Sequence, residues 1–257
     1  MSFFVGIPSY LPDKHRQVRL TRVLRCIEYI RKISKDFEIM MVLDNWQDAD
    51  IMTLAPFNVT YEKISYRNVA KSRNHILKLF YESNKDYLWL TDDDVLWYDT
   101  PDSIFPALIN NPIELLLKSI LTWTGGSGFA TSNYFVPVPI LDTGLIFVAN
   151  LRKHFGFEVY QREELVADGY GGEDLVFECD IFAKTQKLSY IYTGLIHRLD
   201  FQIPSAFWQG QEQKDKTKEY VRSLNIGDRT VYEHAIRSIH LAKKLSLDRA
   251  EQKISIV

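Results

Sequence analysis

The stretch that decides the fold is Tyr87-Leu88-Trp89-Leu90-Thr91-Asp92-Asp93-Asp94-Val95, in which an apolar run ends in three consecutive aspartates. Strand side chains alternate between faces, so Asp92 and Asp94 are predicted to point to one side and Asp93 to the other. Such clustered carboxylates need a positive group to neutralise them. Two carboxylates on one side suit a hard divalent cation such as Mg2+ or Mn2+, and open α/β sheets bind ligands at strand ends. The alternative is a solvated acidic turn or a helix N-cap.

Strands and helices alternate through the residues that precede these aspartates. An α/β fold is predicted, with a mixed, mostly parallel sheet flanked by helices. The predicted strands are residues 2–10, 38–43, 59–64 and the acidic strand, and the predicted helices are residues 16–34 and 71–81. Later segments are less regular: a glycine-rich loop at 122–133, a strand at 141–148, a loop at 169–174, a helix at 175–186, a strand at 188–196 and a helix at 229–245.

Composition narrows the classes of protein that the chain can represent. Its 257 residues are 46% hydrophobic, which suits one large domain or somewhat more. The net charge of −2 provides no global basic field for nucleic acid. No signal peptide or bilayer-spanning apolar run is present in the sequence, so no transmembrane anchor is expected. Cys26 and Cys179 lack metal-type spacing and are predicted to be buried free thiols of a reducing compartment.

Six short motifs follow one another in a fixed order. They are Ile7-Pro8-Ser9-Tyr10, Asp44, Lys71-Ser72-Arg73-Asn74, Asp92-Asp93-Asp94, Gly171-Gly172-Glu173-Asp174 and His197. In this order and spacing, residues 3–200 resemble glycosyltransferases of the GT-A fold. The opening is similar to family-2 enzymes, and the Gly-Gly-Glu-Asp segment is similar to the loop of galactosyltransferase-like relatives. Asn45 and Trp46 depart from the Asp-Gly-Ser turn that is usual after the second strand.

The resemblance implies a nucleotide-sugar donor, a UDP-sugar, together with Mn2+ or Mg2+. A divalent ion that bridges the diphosphate oxygens neutralises charge as the glycosidic bond breaks. Without the resemblance, Arg73 would be interpreted as a charge on a helix surface, and His197 as a histidine hydrogen-bonded at a strand end. The implied metal ligands are Asp92, Asp94 and His197, and the implied donor contacts are Pro8, Ser9, Tyr10, Asp44, Arg73, Asp92 and Asp93.

The resemblance also implies how the acceptor hydroxyl is activated. Asp174 is the expected general base, because an acceptor hydroxyl is a poor nucleophile without one. Relatives with aspartate at this position usually invert the anomeric carbon. Glu173 is expected to orient the acceptor or the loop. The alternative for Asp174 is an N-cap of the helix that follows.

Three hypotheses of function are compatible with these motifs. The first is a metal-dependent glycosyltransferase whose acceptor is a glycan, a lipid-linked glycan or a protein. The second is a phage-type transferase that glycosylates hydroxymethylated DNA bases. The third is a nucleotide-binding module or a nucleotidyltransferase, which can share an acidic metal site. The Gly-Gly-Glu-Asp loop and the late His197 favour the first two.

The expected organisation is a GT-A catalytic domain followed by an extension. The nucleotide-binding half is residues 1–98, the acceptor-binding half is residues 99–204, and a helical extension covers residues 205–257. The expected location is the cytoplasm of a bacterial or phage-infected cell, or the membrane periphery.

Overall fold

The computed structural model describes most of the first half of the chain and parts of the second. The described residues are 2–93, 95–97, 117–119, 135–138, 145–167, 173, 177, 180, 181, 184, 189–192 and 197–199. The predicted loop at 122–133, the predicted helix at 229–245 and the extension at 205–257 lie outside them. No helix among the described residues is long and apolar enough to cross a membrane.

The described strands form a mixed sheet in the order β3-β2-β1-β4-β8-β6-β9-β7, with a separate β10-β5 ladder. Strands β3, β2, β1 and β4 run parallel to one another, and β8 then pairs antiparallel with β4. The strands are β1 (Phe3–Tyr10), β2 (Glu38–Asp44), β3 (Thr60–Ile64), β4 (Tyr87–Thr91), β5 (Val95–Trp97), β6 (Leu117–Ser119), β7 (Phe135–Val138), β8 (Leu145–Ala149), β9 (Ser189–Tyr192) and β10 (His197–Leu199). The predicted α/β class is confirmed.

Asparagine side chains cap the starts of the helices that begin at residues 69 and 151. The side chains of Asn68 and Asn150 accept backbone N–H groups from Lys71 and Lys153, which satisfies donors that a helix start leaves unpaired. Gly156 ends its helix at φ 76°, a conformation that glycine adopts without strain. The helices are α1 (Arg16–Ile33), α2 (Asp48–Met52), α3 (Val69–Glu82), α4 (Leu151–Phe155) and α5 (Glu163–Ala167), with a short 3-10 turn at Ala55–Phe57.

Two hydrophobic cores lie on opposite faces of the sheet. On β4, Trp89 packs in the core that α1 covers, and Leu88 and Leu90 pack in the core that α3 covers. The same alternation holds along β1 and β2, as the period of two in strands requires. The sheet is therefore covered by α1 on one side and by α3 on the other. The alternation along β1, β2 and β4 indicates towards which of these helices the residues at the strand ends point.

A hydrogen-bonded carboxylate fixes the amino ends of β1 and β4. Asp86 accepts hydrogen bonds from the Ser2 backbone at 2.9 Å and from the Lys153 ammonium at 2.6 Å. Burial alone would raise the pKa of Asp86, but the hydrogen bonds from Lys153 and Ser2 outweigh it and lower the pKa to about 2. The carboxylate is therefore ionised at neutral pH, and it joins β1, β4 and α4 at this end of the sheet.

Helix α3 lies unusually close to β1 because residue 6 has no side chain. A Cβ built on Gly6 would lie 2.2 Å from Cγ2 of Ile76 and 3.2 Å from Cδ1 of Leu88. Real Cβ atoms do not approach neighbours at the shorter of these distances. The glycine thus sets the spacing between the helix and the sheet.

We expect Gly6→Ala to lower the free energy of unfolding by about 1–3 kcal/mol, the usual cost of overpacking a core. The measurement is urea unfolding followed by circular dichroism. Ile76→Ala removes Cγ2, the atom that the new Cβ would strike, so the double variant Gly6→Ala/Ile76→Ala should lose less stability than the two single variants added together. Simple additivity of the two losses would show that this contact does not set the spacing.

Candidate functional site

The carboxyl ends of β1, β2 and β4 meet at one edge of the sheet. Tyr10 at the end of β1 pairs in register with Asp44 at the end of β2, and β1 lies between β2 and β4. The candidate donor residues of the sequence, Pro8 to Tyr10, Asp44 and Asp92, therefore lie within one region of the described structure. Parallel sheets bind ligands at this edge.

Asp92 and Asp93 leave β4 towards opposite faces, and each receives an arginine. Nη2 of Arg73, on α3, lies 2.8 Å from Oδ1 of Asp92. Nη2 of Arg19, on α1, lies 2.8 Å from Oδ1 of Asp93. The positive groups that clustered carboxylates require are thus supplied by the protein, one from the helix on each face. This agrees with the alternation predicted for these two residues.

Asp93 lies in a buried hydrogen-bonded network. Its side chain accepts the Ser9 hydroxyl at 2.6 Å through Oδ2, while Oδ1 accepts Arg19. The Trp46 indole donates to the same Ser9 oxygen at 3.2 Å. Asp93 is 4% exposed, and Ser9 and Trp46 are also buried. The network connects the ends of β1 and β4 with the loop that follows β2.

Arg73 bridges the acidic strand end and the later acidic segment. Its guanidinium also donates to Oε1 of Glu173 at 3.2 Å, so it contacts carboxylates from two distant parts of the chain. The Arg73 side chain is 7% exposed, whereas that of Asp92 is 35% exposed. Arg73 is therefore a buried cation between two carboxylates, and not the helix-surface charge that was the alternative.

Asn45 and Trp46 lie in the loop after β2, and their conformation and contacts fit the fold. Asn45 has a left-handed φ of 59°, which asparagine tolerates better than most residues, and its amide donates to the Leu11 carbonyl at 2.7 Å. Asp44 is buried and accepts the backbone N–H of Arg67. The departure from the Asp-Gly-Ser pattern thus leaves Asp44 anchored at the strand end and turns Trp46 inward.

Amide contacts on α3 hold the segment that precedes α5. The Asn74 side chain donates to the Gln161 carbonyl at 2.8 Å and accepts its N–H at 2.7 Å. It also donates to Glu163 at 3.0 Å, and Asn68 donates to the Glu163 carbonyl at 3.2 Å. The same helix that supplies Arg73 therefore fixes the chain on the side from which Glu173 arrives.

The remaining predicted site residues are covered only in part. Asp94, Gly171, Gly172 and Asp174 lie outside the described residues. The strand predicted at 188–196 contains β9. His197 follows that range and begins a separate strand, β10, where its backbone pairs with Trp97 of β5. The chain after the aspartates thus runs beside His197, and the His197 side chain lies outside the description.

The described residues fit a divalent cation only to a limited degree. Among them, no group of three histidine, cysteine or acidic side chains is placed to hold a metal ion. Asp92 does supply a partly exposed carboxylate just beyond a strand end, and carboxylate oxygen is the donor type that Mg2+ and Mn2+ prefer. The other two expected ligands are the side chains of Asp94 and His197.

Sequence reasoning missed Arg19 and the polar contacts of α3. Arg19 lies four residues before Val23 and seven before Cys26, both of them buried on α1. An arginine on the buried stripe of a helix needs an acidic partner, and that was the available signal. Asn74 and Gln161 gave no comparable signal, because their contact joins residues 87 apart in the sequence.

Comparisons with known proteins bear on the fold. No protein-family model matches the sequence, and no curated protein matches it. The crystal structure of S. aureus TarS 1–349 matches 77% of this chain and 59% of its own, with a TM-score of 0.53 and 17% identity. A mycobacterial protein matches 80% of this chain and 69% of its own, with a TM-score of 0.52 and 12% identity.

A third structure covers nearly the whole chain. The mannosyltransferase PcManGT from Pyrobaculum calidifontis, solved with GDP-Man and Mn2+, matches 99% of this chain and 79% of its own, with a TM-score of 0.50 and 11% identity. At such low identity the likeness shows the fold, which is the GT-A fold of glycosyltransferases. The chain matches less than two thirds of TarS 1–349.

We expect Arg73→Met to lower the free energy of unfolding by about 2 kcal/mol, because it leaves two carboxylates close together without their cation. Arg73→Met/Glu173→Gln should recover part of that loss by removing one of the charges. Thermal unfolding at low ionic strength measures both variants, with Lys78→Met at an exposed position of α3 as the control. If Arg73→Met/Glu173→Gln unfolds at a lower temperature than Arg73→Met, Arg73 does not act as the bridge between the carboxylates.

Proposed function

We propose that the protein is a metal-dependent glycosyltransferase that moves a sugar from a UDP-sugar to an acceptor hydroxyl. The observation that carries this proposal is the meeting of Asp44, Arg73 and Asp92 at the carboxyl edge of a GT-A sheet. A fold supports many chemistries, so the proposal rests on these side chains as well as on the fold.

The proposed donor site lies on the α3 side of the strand ends. Pro8, Tyr10, Asp44 and Asp92 follow the strand alternation of Phe4, Val42, Leu88 and Leu90, which pack in the core beneath α3. Asp44 is proposed to contact the base, and Arg73 to contact the donor diphosphate or sugar. Arg73 can take this role while it holds Asp92, because a guanidinium has five N–H donors. Ser9 and Asp93 complete the set that the resemblance implied, and they contact each other directly beside this site.

A divalent ion, Mn2+ or Mg2+, is proposed at Asp92, Asp94 and His197. When bound, it would neutralise charge on the leaving diphosphate. The support is the partly open Asp92 carboxylate and the pairing of β10 with β5, the strand that directly follows the aspartates. Carboxylate oxygens accept either ion, and an imidazole ligand favours Mn2+ over Mg2+.

Asp174 is proposed to take the proton from the acceptor hydroxyl, and the reaction is proposed to invert the anomeric carbon. The support is the contact between Arg73 and Glu173, which holds the residue before Asp174 against the acidic strand end. A carboxylate on the acceptor side, opposite the leaving group, is what a single inverting displacement requires. Glu173 is proposed to orient this segment through Arg73.

The proposed acceptor is a glycan or a lipid-linked glycan. A net charge of −2 gives no general attraction to DNA, so hydroxymethylated DNA is the less favoured acceptor and serves as the comparison in acceptor trials. Sugar transfer to glycan acceptors with none to modified DNA would decide between them.

We expect UDP to raise the melting temperature in the presence of Mn2+ and to do so less after chelation by EDTA. Asp94→Ala should bind Mn2+ more weakly and hydrolyse or transfer UDP-sugars very slowly, because one ligand of the leaving group's counter-ion is gone. Differential scanning fluorimetry with UDP, GDP and CDP measures the first effect, and a UDP-sugar panel measures the second. A shift with GDP or CDP and none with UDP would overturn the donor assignment. Full metal-dependent activity in Asp94→Ala would overturn the metal assignment.

We expect Asp174→Asn to bind UDP and Mn2+ normally but to transfer sugar about two to four orders of magnitude more slowly, the usual contribution of a positioned acid or base. Asparagine keeps the size and the capping ability of aspartate but cannot take the proton. Isothermal titration of UDP and initial rates measure the two effects, and NMR of the wild-type product gives its anomeric configuration. Either an active variant or retention of configuration would remove Asp174 from this role.

A further inference from the structure

We propose that Arg19 and Asp93 are positioning residues of the donor site, which they serve by fixing the direction of Asp92. This inference rests on the proposed function and deepens it. It assigns Asp93 a role behind the site in place of direct donor contact. It also adds Arg19, a residue of α1 that no sequence motif indicated.

Both carboxylate oxygens of Asp93 are engaged on the α1 side. Arg19 lies 2.8 Å from one oxygen, and the Ser9 hydroxyl donates to the other at 2.6 Å. With both oxygens bonded on this side, the Asp93 carboxylate is held away from the α3 side, where the partly exposed Asp92 carboxylate lies. Asp92 leaves the chain on the opposite side, towards α3 and the proposed donor.

Fixing Asp93 constrains Asp92 because the two residues are adjacent beyond the end of β4. A change in the torsions of the peptide that joins them would displace the partly buried ion pair between Arg19 and Asp93. The Cys26 thiol, also on α1, lies 3.7 Å from the Asp92 carbonyl oxygen and holds the same peptide from behind. The α1 side thus fixes the backbone, and Arg73 then fixes the Asp92 carboxylate.

The network extends to the first strand and to the loop after β2. Ser9 donates to Asp93 and accepts from Trp46, so one chain of hydrogen bonds joins the three parts of the proposed donor site. A site held within about 0.5 Å needs such supporting contacts behind the groups that touch the ligand. The network therefore couples the placement of Asp92 to that of the β1 end.

Nucleotide affinity tests the positioning role. The variants are Arg19→Met, Asp93→Asn and the double variant, with Arg25→Met at an exposed position of α1 as the matched control. We expect each single variant to bind UDP in the presence of Mn2+ about 10- to 100-fold more weakly, the usual effect of losing a group that orients a ligand-binding residue. The UDP dissociation constant of the double variant should increase by less than the product of the two single increases, because removing both charges leaves neither one without its partner.

The titrations are run well below each variant's melting temperature, with folding checked by circular dichroism. A merely structural salt bridge would lower the melting temperature and leave the UDP dissociation constant of the folded protein unchanged. Unchanged affinity in Arg19→Met would therefore overturn the positioning role. A wild-type protein that binds no nucleotide with Mn2+ would instead overturn the proposed function, so the two failures are distinguishable.

A second measurement tests the network without any ligand. The Trp46 indole N–H gives an NMR signal that Trp46→Phe identifies, and it reports on the Ser9 oxygen. We expect Asp93→Asn and Arg19→Met to shift this signal and Arg25→Met to leave it in place. An unmoved Trp46 signal in both network variants would overturn the connection between Asp93 and the β1 end.

Discussion

Adjacent carboxylates at the end of a buried strand are the constraint on which the rest of this site depends. Consecutive side chains along a strand point to opposite faces of the sheet. A single cation therefore cannot neutralise both Asp92 and Asp93. The protein provides Arg73 from α3 for one and Arg19 from α1 for the other. The acidic motif therefore requires both helical layers to be in place, and the chemistry at the sheet edge cannot be separated from the packing of either face.

Strand alternation also places different side chains on the two faces of the sheet. The α3 face carries the partly exposed Asp92 together with the buried Asp44 and Arg73, and it is the face on which we propose that the donor binds. The α1 face carries Ser9, Asp93 and Trp46, which contact one another beneath the surface. A one-residue slip of β4 would exchange these roles, because the inward side chains would become outward ones. The tight core on both faces is what prevents such a slip.

Much of the fold could be predicted, because apolar periodicity and alternating elements are local signals. Strands β1, β2 and β4 and helices α1 and α3 lie close to the predicted ranges. The resemblance also assigned Arg73 and Asp92 to one donor site, and the structure places the two side chains in contact. Arg19, Trp46 and Asn74 could not be placed in this way. Their roles come from side-chain contacts between segments tens of residues apart. The position of Arg19 on the buried stripe of α1 indicates that it needs an acidic partner, but it does not identify Asp93 as that partner.

The glycine at residue 6 has a consequence for how natural variation in this protein would be interpreted. Ile76, which lies against Gly6, is one helical turn from Arg73, so the depth at which α3 sits also sets how far the guanidinium extends towards Asp92 and Glu173. A side chain at residue 6 would displace that reach without touching any substrate. Natural substitutions at residues 6 and 76 should therefore covary. A screen that ranked variants by activity alone would mistake this core contact for part of the ligand-binding surface.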